Sequence, residues 1–191
     1  MDKQRNLENK KSIMMYLHDL TILLAVILVV FLLLFRVVVV SGPSMMSTLV
    51  NGDYLIVLNQ TFAGDPQPGD VVVISKSTYD NGTPIIKRVI ATEGQEVTIR
   101  DQHVYVDGVM LDEPYIHGLP TLSPTGDIYT VVVEPGCVFV MGDNRVQSKD
   151  SRSNQIGQID RREIIGKAIF CIFPGADSNG NRDFSRLGGI E

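Results

Sequence analysis

Residues 20–40 of this chain read LTILLAVILVVFLLLFRVVVV and form its only strongly apolar run. No charge occurs from Leu20 to Phe35, Arg36 interrupts the run, and four valines continue it. A bilayer core of ~30 Å needs about 20 apolar residues in a helix. The run is long enough if Arg36 extends its charge to the lipid headgroups. The sequence therefore predicts one membrane-spanning signal anchor, which we place at residues 19–40.

A buried core helix and a cleavable signal peptide are the other interpretations of this run. Apolar side chains surround the helix without a polar stripe, which argues against a surface helix. The run is long for a signal peptide, so we favour an uncleaved anchor. Because β-branched valines favour strands, we expect the helix to end near Arg36 and an extended segment to follow.

Basic residues before the run predict its orientation in the membrane. Four of them precede it: Lys3, Arg5, Lys10 and Lys11. Lys and Arg are enriched on the cytoplasmic side of membrane helices. We therefore expect residues 1–18 to form a cytoplasmic tail and residues 41–191 to form an extracytoplasmic domain.

The composition of residues 41–191 limits the partners of this domain. The segment has twelve Lys and Arg against nineteen Asp and Glu. This acidic balance argues against a nucleic-acid partner. Cys137 and Cys171 show no C-x-x-C spacing and no metal-site pattern with the histidines, so we predict neither metal nor cofactor. Two buried thiols or a disulfide are the open alternatives for this pair.

Short apolar segments separated by turn signals fill the outer domain. Asn51-Gly52, Asn81-Gly82 and Asp107-Gly108 are typical turn dipeptides. The predicted strands are 53–58, 70–74, 85–91, 96–100, 104–106, 109–111, 129–134, 137–141 and 167–173. Their spacing indicates a β-sandwich or barrel. We expect one short helical piece at 160–165, and weak order in the last dozen residues because they are rich in Gly, Asn and Ser.

A candidate nucleophile follows the apolar run directly, where residues 41–49 read SGPSMMSTL. An extended chain covers ~3.3–3.6 Å per residue, which puts Ser44 within roughly 15 Å of Val40. Any chemistry of Ser44 would therefore occur close to the bilayer surface. A serine hydroxyl is a poor nucleophile unless a nearby base takes its proton.

Histidine is the usual base for such a serine, but no histidine here has a motif-like setting. His18 precedes the membrane run, His103 lies in a turn between strands, and His117 lies in an irregular stretch. Lysine is the alternative base, and it must be buried for its pKa to fall far enough to leave a neutral amine.

Lys87 has a sequence setting that fits this requirement. In the predicted strand, Ile85, Lys87 and Val89 share one face. Lys87 would be desolvated if that face is buried, and Arg88 would point the opposite way and keep its charge. Two solvated side chains are the alternative interpretation of this Lys-Arg pair.

A third polar block, residues 141–152, reads MGDNRVQSKDSR. Its Gly-Asp-Asn part is typical of a tight turn. The alternation of Asp, Arg and Ser suits a hydrogen-bonded cluster with bidentate Arg–carboxylate pairs. A polar surface loop is the alternative.

In this order after one anchor, the three blocks resemble the motifs of the type I signal peptidases. The motif G-x-S-M-x-P-T-L is matched by Gly42–Leu49, except that Ser47 replaces the proline. K-R-V is matched by Lys87–Val89, and G-D-N-R-x-x-S-x-D-S-R by Gly142–Arg152 at every fixed position. Three spaced motifs are far more specific than one. Because proline stiffens a turn, we expect Ser47 to tune the site without abolishing it.

The resemblance implies a mainly β, antiparallel two-sheet catalytic domain preceded by one N-terminal transmembrane helix. It implies that Ser44 is the nucleophile, that Lys87 is the general base and that Ser148 orients the Lys87 amine. Four further residues would hold the shape of the site: Asp143, Arg145, Asp150 and Arg152. The Ser44 N–H would be one oxyanion donor, whereas Gly42 has no side chain to supply the second donor that some relatives carry there.

The resemblance also implies a substrate class: secreted precursor proteins whose signal peptides are removed after small residues in an Ala-x-Ala-like pattern, at the cell membrane. The candidate pocket residues are Met45, Leu49, Ile85 and Ile86, beside an extended substrate that pairs with a strand edge. Two other functions stay open. One is a non-catalytic membrane-anchored secretion or pilus-assembly factor, and the other is a different, self-cleaving Ser/Lys protease.

Overall fold

Most of the N-terminal apolar run lies in one long helix, and its last residues form a strand. The structure is a computed structural model and describes residues 2–46, 48–177 and 179–190, with side chains from residue 12 onward. Helix α1 spans Asp2–Leu34, and its part from Ser12 is long and apolar enough to cross a membrane, with a mean hydropathy of 2.7 and no buried residue. Strand β1, Phe35–Val39, follows directly.

This boundary confirms the expected change from helix to extended chain near Arg36. Val37, Val38 and Val39 lie in this strand, because β-branched side chains pack well on a pleated surface. The anchor bounds 19–40 stay a prediction. The chain divides into two compact units at this point, one up to Phe35 and one from Arg36 onward.

The second unit is built on two sheets, and the prediction of a mainly β, antiparallel two-sheet domain is confirmed. The larger sheet has the strand order β1-β2-β11-β3-β4-β9-β10, with β12 paired to β11. Its further strands are β2 (Tyr54–Asn59), β3 (Val71–Ile74), β4 (Ile85–Thr92), β9 (Cys137–Met141), β10 (Ile159–Asp160), β11 (Ile164–Phe173) and β12 (Gly188–Gly189). Pairing from β2 through β11 and β3 to β4 and β9 is antiparallel.

The smaller sheet has the order β7-β6-β5-β8. Its strands are β5 (Glu96–Arg100), β6 (His103–Val106), β7 (Val109–Met110) and β8 (Tyr129–Val132). A short helix α2, Gln60–Ala63, follows β2. Single 3₁₀ turns occur at Asp80–Gly82, Pro114–Ile116, Arg161–Glu163 and Phe184–Arg186. The turn at Arg161–Glu163 confirms the short helical piece expected at 160–165.

Strand β4 carries the predicted alternation of faces. Ile85 and Val89 pack in one buried cluster, whereas Ile86 packs in another. Lys87 and Arg88 therefore leave the strand on opposite sides, and both are buried. The alternative interpretation, in which both side chains are solvated, is wrong for this pair, because Lys87 and Arg88 are 3% and 1% exposed and have partners inside the domain.

The expectation of a weakly ordered C-terminus is wrong for the described residues 179–190. Strand β12 pairs with β11 through Gly188 and Gly189, and Arg186 contacts the carboxylate of Asp53. The composition of this segment indicated weak order, but backbone pairing with β11 and the Arg186–Asp53 ion pair fix its position. Cys137 in β9 and Cys171 in β11 are both free thiols.

Gly166 in β11 is a point where two backbones approach too closely for a side chain. A Cβ at this position would lie 2.2 Å from the Leu58 carbonyl oxygen of β2. We predict that Gly166→Ala lowers the free energy of unfolding by about 1–3 kcal/mol, because overpacking forces the strands apart. Gly189→Ala is the control, since its Cβ would meet only Ile169 O at 3.9 Å. Equal urea midpoints for the two variants would contradict the prediction.

Candidate active site

Ser44 and Lys87 meet at hydrogen-bond distance, although the sequence separates them widely. Ser44 is half-buried in a loop between β1 and β2, where the Leu49 N–H donates to the Met45 carbonyl at 2.8 Å. Lys87 projects from β4 and is 3% exposed. Its Nζ donates to Ser44 Oγ at 2.8 Å and to the Ile86 carbonyl at 2.8 Å. The hydroxyl and the amine are thus within direct proton-transfer reach.

Burial changes the protonation of Lys87. Desolvation lowers the pKa of its amine from 10.5 to about 8, and the nearby carboxylates of Asp150 and Asp143 oppose this fall. A buried amine prefers its neutral form because the low-dielectric surroundings penalise the charge. Lys87 is therefore closer to neutrality than an ordinary lysine, as a general base requires.

Arg88 leaves β4 on the opposite side and forms a buried ion pair with Asp143. Its Nε and Nη2 donate to the two carboxylate oxygens of Asp143 at 2.9 and 2.7 Å. Its Nη1 donates to the Gly69 carbonyl at 2.9 Å. Thr48, on the loop that carries Ser44, donates to Asp143 at 2.5 Å. The Arg88–Asp143 pair thus links β4, the segment after β9 and the Ser44 loop.

A second buried ion pair lies beside the first. Arg145 donates to both carboxylate oxygens of Glu113 and to Thr121 Oγ1 at 2.6 Å. Tyr115 donates its hydroxyl to Glu113 at 2.9 Å. The Tyr115 ring also lies under Arg88, with the guanidinium carbon 4.1 Å from the ring centroid. Burial and the Glu113 charge raise the pKa of Tyr115, so this hydroxyl stays protonated.

Asp150 and Arg152 form a third pair that holds the turn after β9. Arg152 Nε and Nη2 donate to the carboxylate of Asp150 at 2.8 and 2.9 Å. The Gly142 N–H donates to the same carboxylate at 3.1 Å. Burial raises the pKa of Asp150, but the bonds and charge of Arg152 outweigh it, and the pKa lies below its ordinary value. Asp150 therefore stays ionised.

Gly142 fits between the Ser44 loop and Ser148. A Cβ there would lie 2.3 Å from Ser148 Oγ and 2.4 Å from the Ser44 carbonyl oxygen. Ser148 Oγ is buried, and Ser148 is among the groups that lower the pKa of Asp150. Its role in orienting the Lys87 amine stays a prediction. Ser148 is nevertheless packed against the glycine that borders Ser44.

The predicted pocket residues divide between two clusters. Met45 and Leu49 are each 1% exposed and pack with Ile86 and the rest of one core cluster. Ile85 is partly buried and packs against the other cluster. The structure thus brings three of the four together. Their role in substrate binding stays a prediction.

Several residues of the site have partners that the motifs alone did not reveal. Asn144 lies between Asp143 and Arg145, and its N–H donates to the Ser44 carbonyl at 3.1 Å while its Nδ2 donates to the Pro43 carbonyl at 3.2 Å. Other unforeseen partners are Thr48, Glu113, Tyr115 and Thr121. Thr48 and Asn144 lie inside the first and third blocks, Glu113 and Tyr115 lie in a further stretch that resembles the family, and Thr121 had no sequence signal.

Ser47, which replaces the motif proline, lies outside the described residues, so its expected effect on the site stays a prediction. Within residues 2–46, 48–177 and 179–190, no group of three or more His, Cys, Asp or Glu side chains is arranged to hold a metal ion.

The Arg88–Asp143 pair yields a stability prediction. Asp143→Asn leaves a buried guanidinium without its counter-charge, so we expect the free energy of unfolding to fall by about 3–5 kcal/mol. Asp160→Asn is the matched control, because Asp160 pairs with Arg162, whose side chain is 90% exposed, and such pairs contribute little. Chemical denaturation of both variants is the measurement. A similar loss in the two would contradict the importance of the buried pair.

Comparison with known proteins places this site in a family. Residues 13–173 match the family model described as "Signal peptidase, peptidase S26". Signal peptidase I T of Bacillus subtilis is 36% identical over 186 residues, which cover 91% of this chain and 94% of the relative. Signal peptidase I of Bacillus licheniformis is 32% identical over 181 residues, 91% of this chain and 96% of the relative.

A solved structure gives a further comparison. The crystal structure of a signal peptidase I from Enterococcus faecalis superposes with a TM-score of 0.45 and 28% identity, and the match covers 54% of this chain and 96% of that chain. The family match spans the apolar helix segment from residue 13, strands β1 to β11 and all three motif blocks. The chain therefore belongs to the type I signal peptidases of the peptidase S26 family and is a serine peptidase.

Proposed function

We propose that this chain is a membrane-anchored endopeptidase that removes signal peptides from secreted precursors with a Ser44–Lys87 dyad. One observation carries the proposal: the 2.8 Å contact between Lys87 Nζ and Ser44 Oγ, made by a lysine whose burial lowers its pKa to about 8. A neutral amine at this distance is a general base already in place for the hydroxyl.

Acylation follows from this geometry. Neutral Lys87 takes the Ser44 proton while Oγ bonds to the scissile carbonyl carbon, which gives a tetrahedral oxyanion. The Ser44 N–H is one donor for that oxyanion. The lysine ammonium then gives its proton to the leaving amine as the peptide C–N bond breaks. The new N-terminus leaves, and the signal peptide stays bound to Ser44 as an ester.

Deacylation repeats these steps with water. Neutral Lys87 takes a proton from water, whose oxygen bonds to the ester carbonyl carbon. The ammonium returns the proton to Ser44 Oγ as the ester bond breaks. The product leaves as a carboxylic acid, which loses its proton to solvent, and the dyad returns to its starting state. The same amine thus acts as base and acid in both halves of the reaction.

An open strand edge supports binding of an extended substrate. Strand β9 pairs with β4 only from Arg88 onward, whereas β3 pairs with β4 from Ile85. The Ile85–Lys87 part of β4 thus extends past the end of β9, next to the dyad. A precursor segment could add there as a strand, with small side chains before the cut accommodated by the shallow apolar surroundings of Ile86.

The apolar helix supports a membrane location. Residues Ser12–Leu34 have the length and composition of a membrane span. We place the N-terminus in the cytoplasm and the β domain outside, on the basis of the basic residues that precede the span. A precursor whose own apolar segment lies in the bilayer would then present its cleavage site on the same side as Ser44.

Cleavage of a precursor in trans tests the dyad. We expect the purified full chain in detergent to cut a precursor with an Ala-x-Ala site after the second Ala. Ser44→Ala and Lys87→Ala remove the nucleophile and the base, so each should lower the rate by at least about 10³-fold. Lys149→Ala is the control, since this lysine of the third block is exposed and donates to Gln155 at 3.4 Å. Product N-termini are identified by mass spectrometry.

The outcomes of this assay separate the proposed function from its alternatives. An inert but folded parent chain would favour a non-catalytic secretion factor. Cleavage of itself alone would favour a self-cleaving protease. Unchanged activity of Lys87→Ala would show that the base lies elsewhere.

The pH dependence of the same reaction tests the state of Lys87. Below a pH of about 8 the amine is protonated and has no lone pair to accept the Ser44 proton. We therefore expect kcat/KM to rise about tenfold per pH unit toward about 8 and to level off above it. Circular dichroism at each pH checks that the fold persists. A midpoint near 6.5 would instead indicate a histidine base.

A further inference from the structure

The loop that carries Ser44 is closed at its base by main-chain bonds. We define the nucleophile loop as residues 41–52. The Gly52 N–H donates to the Val40 carbonyl at 2.9 Å, and the Val40 N–H donates to the Asp53 carbonyl at 2.9 Å. These bonds bring the two ends of the loop together, so the position of Ser44 depends on what holds the part of the loop beyond this base.

One side of the nucleophile loop is held by the polar block after β9. Asn144 bonds the carbonyls of Pro43 and Ser44, and Asp143 accepts from Thr48. These contacts belong to the site already described. They leave the returning half of the loop, around Val50, to be held by other residues.

The returning half is held by a buried carboxylate. Asp53 is 0% exposed and accepts from the Val50 N–H at 2.7 Å and from the Gly175 N–H at 2.7 Å. Arg186 donates to the same carboxylate and lies 3.5 Å from the Thr48 carbonyl. A buried charge without a partner is costly, and Arg186 supplies the opposite charge from the C-terminal segment.

The C-terminal segment, whose described residues are 174–177 and 179–190, lies directly against the base of the nucleophile loop. A Cβ at Gly175 would lie 2.2 Å from the Asn51 carbonyl oxygen, so the two backbones are in close contact. Beyond Arg186, Gly188 pairs with Cys171 of β11. The segment is thus fixed to the large sheet on one side and to the nucleophile loop on the other.

We infer that Asp53 and Arg186 are a positioning pair, which holds the nucleophile loop so that Ser44 Oγ stays within hydrogen-bond distance of Lys87. This inference rests on the proposed Ser/Lys function. The pair contacts the loop at Thr48 and Val50 and acts on the reaction only through the loop. Its loss should therefore lower the rate of acylation more than the affinity for substrate, because small displacements of reacting groups cost about 10²-fold in rate.

The experiment compares Arg186→Gln, Arg186→Lys and the double variant Asp53→Asn/Arg186→Gln in the full chain. Arg182→Gln is the control, because Arg182 lies on the same segment but bonds the Pro174 carbonyl at 2.5 Å and lies over the Phe173 ring. The measurements are kcat and KM for the Ala-x-Ala precursor, and the rate at which a serine-directed covalent inhibitor labels Ser44.

We expect Arg186→Gln to lower kcat and the labelling rate by about tenfold to a hundredfold, with KM changed less than about threefold. Arg186→Lys should recover part of the loss because it restores the charge. The double variant removes both buried charges, so it should fold and still show the loss of kcat. Arg182→Gln should match the parent.

A folded double variant with the kcat of the parent would overturn the inference. Equal losses in Arg182→Gln and Arg186→Gln would also overturn it, since they would indicate a general effect of the segment. Absence of cleavage by the parent chain would count against the proposed function instead, and the labelling rate would then still test whether the pair positions Ser44.

Discussion

The buried ion pair between Arg88 and Asp143 is the interaction on which the rest of the site depends. It joins the middle of β4 to the segment that follows β9, and through Thr48 it reaches the nucleophile loop. Three parts of the chain that are distant in sequence therefore meet at one carboxylate. A bidentate guanidinium fixes distance and orientation together, which a single hydrogen bond to Lys87 could not do.

Lys87 and Arg88 are adjacent in β4 and both are buried, but their surroundings differ. Arg88 forms a bidentate ion pair with Asp143, whereas Lys87 is desolvated by burial and its pKa falls. Because side chains alternate between the two faces of a strand, Asp143 pairs directly with Arg88 and only partly offsets the effect of burial on the pKa of Lys87. The polar network thus stabilises the shape of the site without cancelling the effect of burial on the pKa of Lys87.

Much of this arrangement could be predicted from local sequence patterns. Apolar segments between turn dipeptides predicted the strands, and the alternation of side chains along a strand predicted which residues of β4 share a face. The distance between Ser44 and Lys87 could not be predicted from the residues alone, because it depends on the order in which strands pair. The partners of Asn144, Glu113 and Arg186 were missed for the same reason, and Arg186 also because its Gly- and Asn-rich surroundings suggested loose chain.

Gly142 shows that the absence of a side chain can be as necessary to an active site as a reactive group. Its missing side chain leaves room for the Ser44 carbonyl and for Ser148 at the same time. The Ser44 carbonyl is main chain, so it cannot turn aside as a side chain could. Substitution is thus constrained at a residue that has no reactive side chain, and a survey of tolerated substitutions would rank Gly142 beside the proposed nucleophile, Ser44.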